Sequence, residues 1–199
     1  MMNESIPQVK VETYQVSKNG SHYCGDSYFI ADTEDYFLCV VADGLGSGEY
    51  AMYAAVAVKE AAERFQNQEV EEIMSQCNNA LKSTRGAAVS VLKIYKKKLQ
   101  FIYSGVGNIR FYLYSPDGNL TYPIPVNGFL SGKPQPFKTG TFSYQLGSHF
   151  LIHTDGISIS GIKNIFSRSR SLSDISSYMQ MSIPPSNDDA TYVLGCVGH

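Results

Sequence analysis

The chain has 199 residues, a length that buries a sizeable core without metals or disulfides as staples. Sixteen Lys and Arg against eighteen Asp and Glu leave a formal net charge of -2, which argues against a nucleic-acid binder working by bulk electrostatics. Charged residues are 17% and hydrophobic residues 43%, a balance that excludes a disordered chain, and no run approaches the roughly 18 apolar residues of a membrane span.

One domain over residues 1–199 is the simplest organisation. Met1 to Lys10 lacks the apolar centre of a secretory signal. Cys24, Cys39, Cys77 and Cys196 show no C-x-x-C spacing and read as buried free thiols, which places the protein in a reducing cytoplasm.

Val9 to Val16 alternates apolar and polar residues, as a half-buried strand does. A turn at 18–21 leads to a second strand around Tyr23 to Ile30. Tyr36 to Ala42 is a near-continuous apolar run, the pattern of a strand buried on both faces. The period then changes. Glu49 to Phe65 and Val70 to Leu81 carry helical spacing, the second with Glu69, Glu71 and Glu72 near its start, where the helix dipole favours acids. Strands return over Ala87 to Tyr95, Leu99 to Val106 and Ile109 to Tyr114. Lys96-Lys97-Lys98 reads as a solvated hairpin turn and 116–118 as a Pro-Asp-Gly turn.

Residues 123–138 hold four prolines and two glycines and read as an irregular loop. Strands follow at Thr141 to Leu146 and Phe150 to Thr154. Arg168 and Arg170 fall in a Ser-rich stretch read as a polar loop. Leu172 to Met181 is a short helix opened by a Ser with Asp174 in its first turn, and Ala190 to Val197 is a last strand. Strands in runs, with helices inserted rather than alternating, predict an α+β fold: two antiparallel sheets covered by helices.

Four acidic positions stand out. Asp43 ends the most apolar strand, in V-A-D-G-L-G-S-G; Asp155 ends another, in H-T-D-G; Asp188 lies in Asn187-Asp188-Asp189, before the last strand; and Asp26 interrupts an early strand. Each alone is consistent with a turn or a helix cap, and Asp-Gly is also a favoured hairpin connection. As a set they suit a hard-cation site, since Mg²⁺ and Mn²⁺ take oxygen ligands and keep several waters. The Gly-rich stretch lacks the Gly-Lys-Ser/Thr ending of a P-loop, and Ser47 has no base beside it. His22, His149, His153 and His199 form no metal-spaced pair. His22 is the one expected to approach the cleft.

The ordered motifs G-D-S (25–27), V-A-D-G-L-G-S-G (41–48), G-V-G-N-I-R (105–110), H-T-D-G (153–156) and D-D-A-T-Y (188–192) resemble those of the type-2C metal-dependent protein phosphatases, over nearly the whole chain. The resemblance implies a central sandwich of two antiparallel β-sheets flanked by α-helices. It implies that Asp43 bridges two ions, Mn²⁺ or Mg²⁺ with Mn²⁺ favoured, and that the Gly44 carbonyl ligates one of them. Asp155 and Asp188 would complete the ligands of the second ion, and Asp26 would orient water. Water so activated would attack the phosphoserine or phosphothreonine phosphorus in line, without a phospho-enzyme. The implied partners are phosphorylated stressosome proteins, scaffold and antagonist, and the implied role is to reset a general stress response.

The chain also departs from the family pattern. Leu45 stands where many members carry a histidine, Ser21 where they carry a phosphate-gripping arginine, and Asn108 where they carry an acid for a third ion. The phosphate would then be held largely by metals and by the partner's fit, with two ions bound and a third only at high concentration. Two other readings stand beside this one: a non-catalytic module that sequesters a partner, and a phosphatase with a small-molecule substrate. An unused cluster of carboxylates costs stability through mutual repulsion, which weighs against the first.

Overall fold

The computed structural model describes residues 6–169, 171–183 and 188–198; Arg170, Asn187 and His199, singled out above, lie outside them. Ten strands and four helices run in the order β1 (Gln8–Val16), β2 (Asp26–Asp32), β3 (Tyr36–Gly44), α1 (Glu49–Arg64), α2 (Val70–Ala80), β4 (Ala87–Tyr95), β5 (Gln100–Val106), β6 (Arg110–Tyr114), β7 (Leu120–Thr121), β8 (Thr139–Ser143), β9 (Ser148–His153), α3 (Ile162–Arg168), α4 (Leu172–Ser182) and β10 (Ala190–Gly198). One sheet has the order β1-β10-β9-β6-β7 and the other β2-β3-β4-β5-β8, and every pairing within them is antiparallel.

Three apolar layers hold this arrangement. Between the sheets, Phe37, Cys39 and Val41 of β3 meet Phe111, Phe150 and Val193, with aromatic pairs such as Phe37–Phe150 at 5.6 Å. The opposite face of β3, carrying Leu38, Val40 and Ala42, packs under Ala54, Val58, Ile73 and Met74 of α1 and α2. That two-sided burial is why β3 reads as a continuous apolar run. The third layer sets Leu151, Tyr192 and Leu194 against Ile165, Phe166, Ile175 and Met179 of α3 and α4. The result is the α+β sandwich with helices outside both sheets.

Asp43 and Gly44 do not form a hairpin turn: Leu45 to Gly48 carry the chain from β3 into α1. The α4 start is a capping box, with Ser171 Oγ accepting from the Asp174 N–H and Asp174 Oδ2 accepting from the Ser171 N–H, both at 3.1 Å. Residues 123–138 hold no helix or paired strand, but bridges Val106–Val126 and Ala87–Leu130 tie them to the sheet.

Three readings need correction. The stretch before Arg170 is not a polar loop: Ile162–Arg168 forms a helix whose Ile165 and Phe166 are buried, a signal too short to register as a helical period. Lys96 is buried rather than solvated, its ammonium 2.6 Å from both Asp32 Oδ1 and the Thr33 carbonyl; only Lys97 and Lys98 face water. Of the four free thiols, Cys39 and Cys77 are buried but Cys24 and Cys196 only half so.

Lys93, in the middle of β4, is 2% exposed and donates to the Gln66 and Gln68 carbonyls at 2.9 and 2.7 Å, closing the α1–α2 connection onto the sheet. Its ammonium also lies 4.1 Å from the Tyr36 ring centre. Lys93→Met would leave two carbonyls without this donor and should lower stability by about 2 kcal/mol, read by urea unfolding.

A candidate metal centre between the sheets

The two sheets meet at the ends of β2, β3, β9 and β10, and the acidic residues gather there. Asp26 and Asp43 are direct cross-strand partners on β2 and β3. Asp155 follows β9 by two residues, and Asp188 precedes β10 by two. Thr154 joins the sheets: its hydroxyl donates to Asp26 Oδ2 at 2.7 Å and accepts the Thr191 N–H at 2.9 Å. Gln15 of β1 adds a bond from Nε2 to the Asp26 carbonyl at 3.0 Å. Asp26 is 4% exposed, yet its Oδ1 has no hydrogen-bond partner among the described residues.

Close backbone approach makes this convergence possible. A Cβ on Gly44 would come 2.0 Å from the Ala51 carbonyl oxygen, and one on Gly156 would come 2.0 Å from that of Asp189, so both positions require glycine. Asp189, next to the predicted ligand Asp188, has another task. Its carboxylate accepts the Lys18 N–H at 2.8 Å and the Gly25 N–H at 2.9 Å, anchoring the β1–β2 connection. That anchor and the Thr154 link are what the sequence reading did not identify; a hydroxyl before the Asp155-Gly156 pair was the available signal.

Charge at this seam is uncompensated. Burial first, then the neighbouring Asp26, Asp155, Asp188 and Asp189, pushes the Asp43 carboxyl up to about 8. Burial pushes Asp26 up to about 7, with Asp189 and Asp155 adding and the Thr154 and Thr191 hydrogen bonds opposing. Asp155 is also raised, by burial and then Asp188, while the Asn108 amide, donating to Oδ2 at 2.6 Å, works against the rise. The ion pairs among the described residues involve Lys96 and Lys97 instead. An orphaned buried oxygen and mutually repelling carboxylates fit a cation. Among the described residues no three Asp, Glu, His or Cys side chains close around one point. So open a donor set suits a hard cation that retains several waters.

A cleft of about 320 Å³ opens beside Asp43, lined by Leu45, Asn108, Arg110, Ile124, Asn127 and Phe129 among others. Leu45 offers it no proton. His22 is exposed, and the groups acting on the aspartates are other aspartates, threonines and Asn108. His153 is buried, with Nδ1 2.8 Å from the Thr154 carbonyl, and burial lowers its pKa; it supports the seam rather than the cleft.

Because Asp26 and Asp43 titrate higher in the fold than the usual 3.8, the metal-free folded protein binds more protons than the unfolded chain between about pH 4 and pH 8. Stability therefore falls as pH rises through that window. Thermal unfolding of chelator-treated protein should show a Tm lower by roughly 5 °C at pH 8 than at pH 5. Asp43→Asn should flatten the slope; a Tm rising with pH would show that the carboxylates are not held in this way.

The comparisons with known proteins agree with this geometry. Residues 33–193 match the family model of Stage II sporulation protein E (SpoIIE). The phosphoserine phosphatase RsbX of Bacillus subtilis (strain 168) is 43% identical over 192 residues, 96% of each chain. A crystal structure of RsbX in complex with magnesium superposes with a TM-score of 0.92 over 96% of both chains. A solved chain from work on the bacterial stressosome as a modular system adapted to control secondary messenger signalling is 25% identical, with a TM-score of 0.85 over 94% of this chain and 99% of that one. No helix among the described residues is long and apolar enough to cross a membrane. Fold, motif order and family model converge: the chain belongs to the SpoIIE family of PP2C-type phosphatases.

Proposed function

We propose that residues 1–199 form one phosphatase domain that removes phosphate from phosphoserine or phosphothreonine of a folded partner, using two divalent cations, Mn²⁺ or Mg²⁺, at the seam between the sheets. The observation that carries this reading is the cluster of raised, uncompensated carboxylates beside an open cleft. In it, Asp43, the Gly44 carbonyl, Asp155 and Asp188 hold the cations. When bound, such ions polarise a phosphoryl oxygen and lower the pKa of water. Asp26, fixed by Thr154, keeps Oδ1 free to orient that water. Gly44, which cannot carry a side chain against Ala51, keeps its carbonyl fixed at the end of β3. Asn108 gives its amide to Asp155 and brings no charge, so a third ion binds only at high concentration.

The relatives named for RsbX and for the stressosome support phosphorylated stressosome proteins, scaffold and antagonist, as partners in a cytoplasmic stress-response circuit. Leu45 gives the leaving serine no acid and Ser21 gives the phosphate no cation, so remote contacts with a folded partner supply binding energy that an isolated ester lacks. Residues 123–138, of which Ile124, Pro125, Asn127, Gly128 and Phe129 line the cleft, are the segment that makes those contacts.

Phosphate release should require Mn²⁺ or Mg²⁺ and should be far faster from a phosphoserine protein than from a small phosphate ester. Asp43→Asn should lose roughly a hundredfold or more, and Asp155→Asn and Asp188→Asn should lose activity in a strongly non-additive way, because the three act as a unit. Full activity after exhaustive chelation would contradict the proposal.

A further inference from the structure

We propose that Arg110 is a substrate-binding residue that grips an oxyanion of the phosphorylated segment; this rests on the phosphatase reading above and extends it to how substrate is held. Arg110 and Asp43 line the same cleft of about 320 Å³. The guanidinium is fixed at one corner, Nη1 donating to the Tyr122 hydroxyl at 2.8 Å. Tyr122 is itself stacked on Tyr112 at 4.8 Å, and Tyr112 on the buried His153 at 6.0 Å, so the anchor is rigid. One of five N–H donors is spent there, which leaves the rest of the planar fork for a ligand.

Among the described residues, no carboxylate forms an ion pair with this cation. The ion pairs among the described residues belong to Lys96 and Lys97. Asp155 accepts from Asn108, two residues before Arg110, at 2.6 Å. His153, the cross-strand partner of Arg110, is buried with its Nδ1 2.8 Å from the Thr154 carbonyl. Leu45, Pro125 and Phe129 supply apolar walls, and Ile124 beside them is 76% exposed. A fixed guanidinium between low-dielectric walls attracts an anion more strongly than one in open water. The cleft thus offers carboxylate oxygens for cations and a guanidinium for a substrate oxyanion. That oxyanion is either the phosphate of the phosphoserine or a carboxylate flanking it, and both suit a bidentate arginine.

The test compares wild type, Arg110→Gln and Arg110→Lys with Mn²⁺ on three probes. These are a phosphoserine peptide with neutral flanks, the same peptide with Asp or Glu beside the phosphoserine, and inorganic phosphate as an inhibitor. Arg110→Gln should raise KM about tenfold or more for the acidic peptide with kcat changed only a few-fold, and Arg110→Lys should restore part of the loss. A matching loss for the neutral peptide and for inhibition by phosphate identifies the phosphate as the gripped group; a loss confined to the acidic peptide identifies the flanking carboxylate. Unchanged KM and inhibition for all three, or a loss of kcat that tracks a lower Tm, overturns the proposal. A wild-type protein that turns over neither peptide nor a phosphoserine protein instead overturns the phosphatase reading.

Discussion

Carboxylates at the seam between two sheets are the constraint on which the rest of the structure depends. Asp26 and Asp43 face each other across β2 and β3, while Asp155 and Asp188 arrive from the ends of β9 and β10 in the other sheet. Bringing these charges together out of water is unfavourable, and the raised pKa values of Asp26, Asp43 and Asp155 express that cost. The fold tolerates it because three apolar layers, one between the sheets and one under each helical face, supply the burial that stabilises the chain. The cost also has a direction: it is relieved by positive charge supplied from outside the chain.

Holding the carboxylates in place falls to neutral groups and to one further carboxylate, Asp189. The Thr154 hydroxyl spans from the Thr191 amide to Asp26, so a displacement of one sheet against the other moves Asp26 with it. Asp189 is spent on two backbone amides and fixes the loop that delivers Asp26. Gly44 and Gly156 let α1 and the start of β10 come within contact of the chain beside Asp43 and Asp155, which a single methyl group would prevent. On the cleft side, Asn108 steadies Asp155 without adding to the repulsion, and Arg110, held by Tyr122, lines the same cleft as Asp43. The site is a charge pattern held by hydroxyls, an amide, backbone and the anchoring carboxylate of Asp189.

Much of this was legible in the sequence, for physical reasons that differ by element. β3 announced itself because burial on both faces leaves no polar positions from Phe37 to Ala42, and α1 because its alanines recur at helical spacing. The Ser171–Asp174 box marked the start of α4. Asp43, Asp155 and Asp188 stood out by sitting at the mouths of apolar strands. What stayed hidden was set by long-range contact. Lys96 looks like one of three exposed lysines until Asp32, 64 positions away, is placed beside it. The two buried residues of α3 make no period, and nothing near Asp189 in the chain reveals that it binds Lys18 and Gly25. Thr154 is an ordinary strand-end threonine until the two sheets are stacked.

The central claim is that the seam is a cation site whose acids carry protons until the cation arrives. Calorimetric titration of metal-free protein with Mn²⁺ at pH 7, in two buffers of different ionisation heat, measures the protons released on binding. The account predicts release of about one proton or more per protein, because Asp26 at about 7 and Asp43 at about 8 are largely or partly protonated at that pH. It also predicts a smaller release for Asp43→Asn. Binding without proton release, with the same affinity in Asp43→Asn, would contradict it.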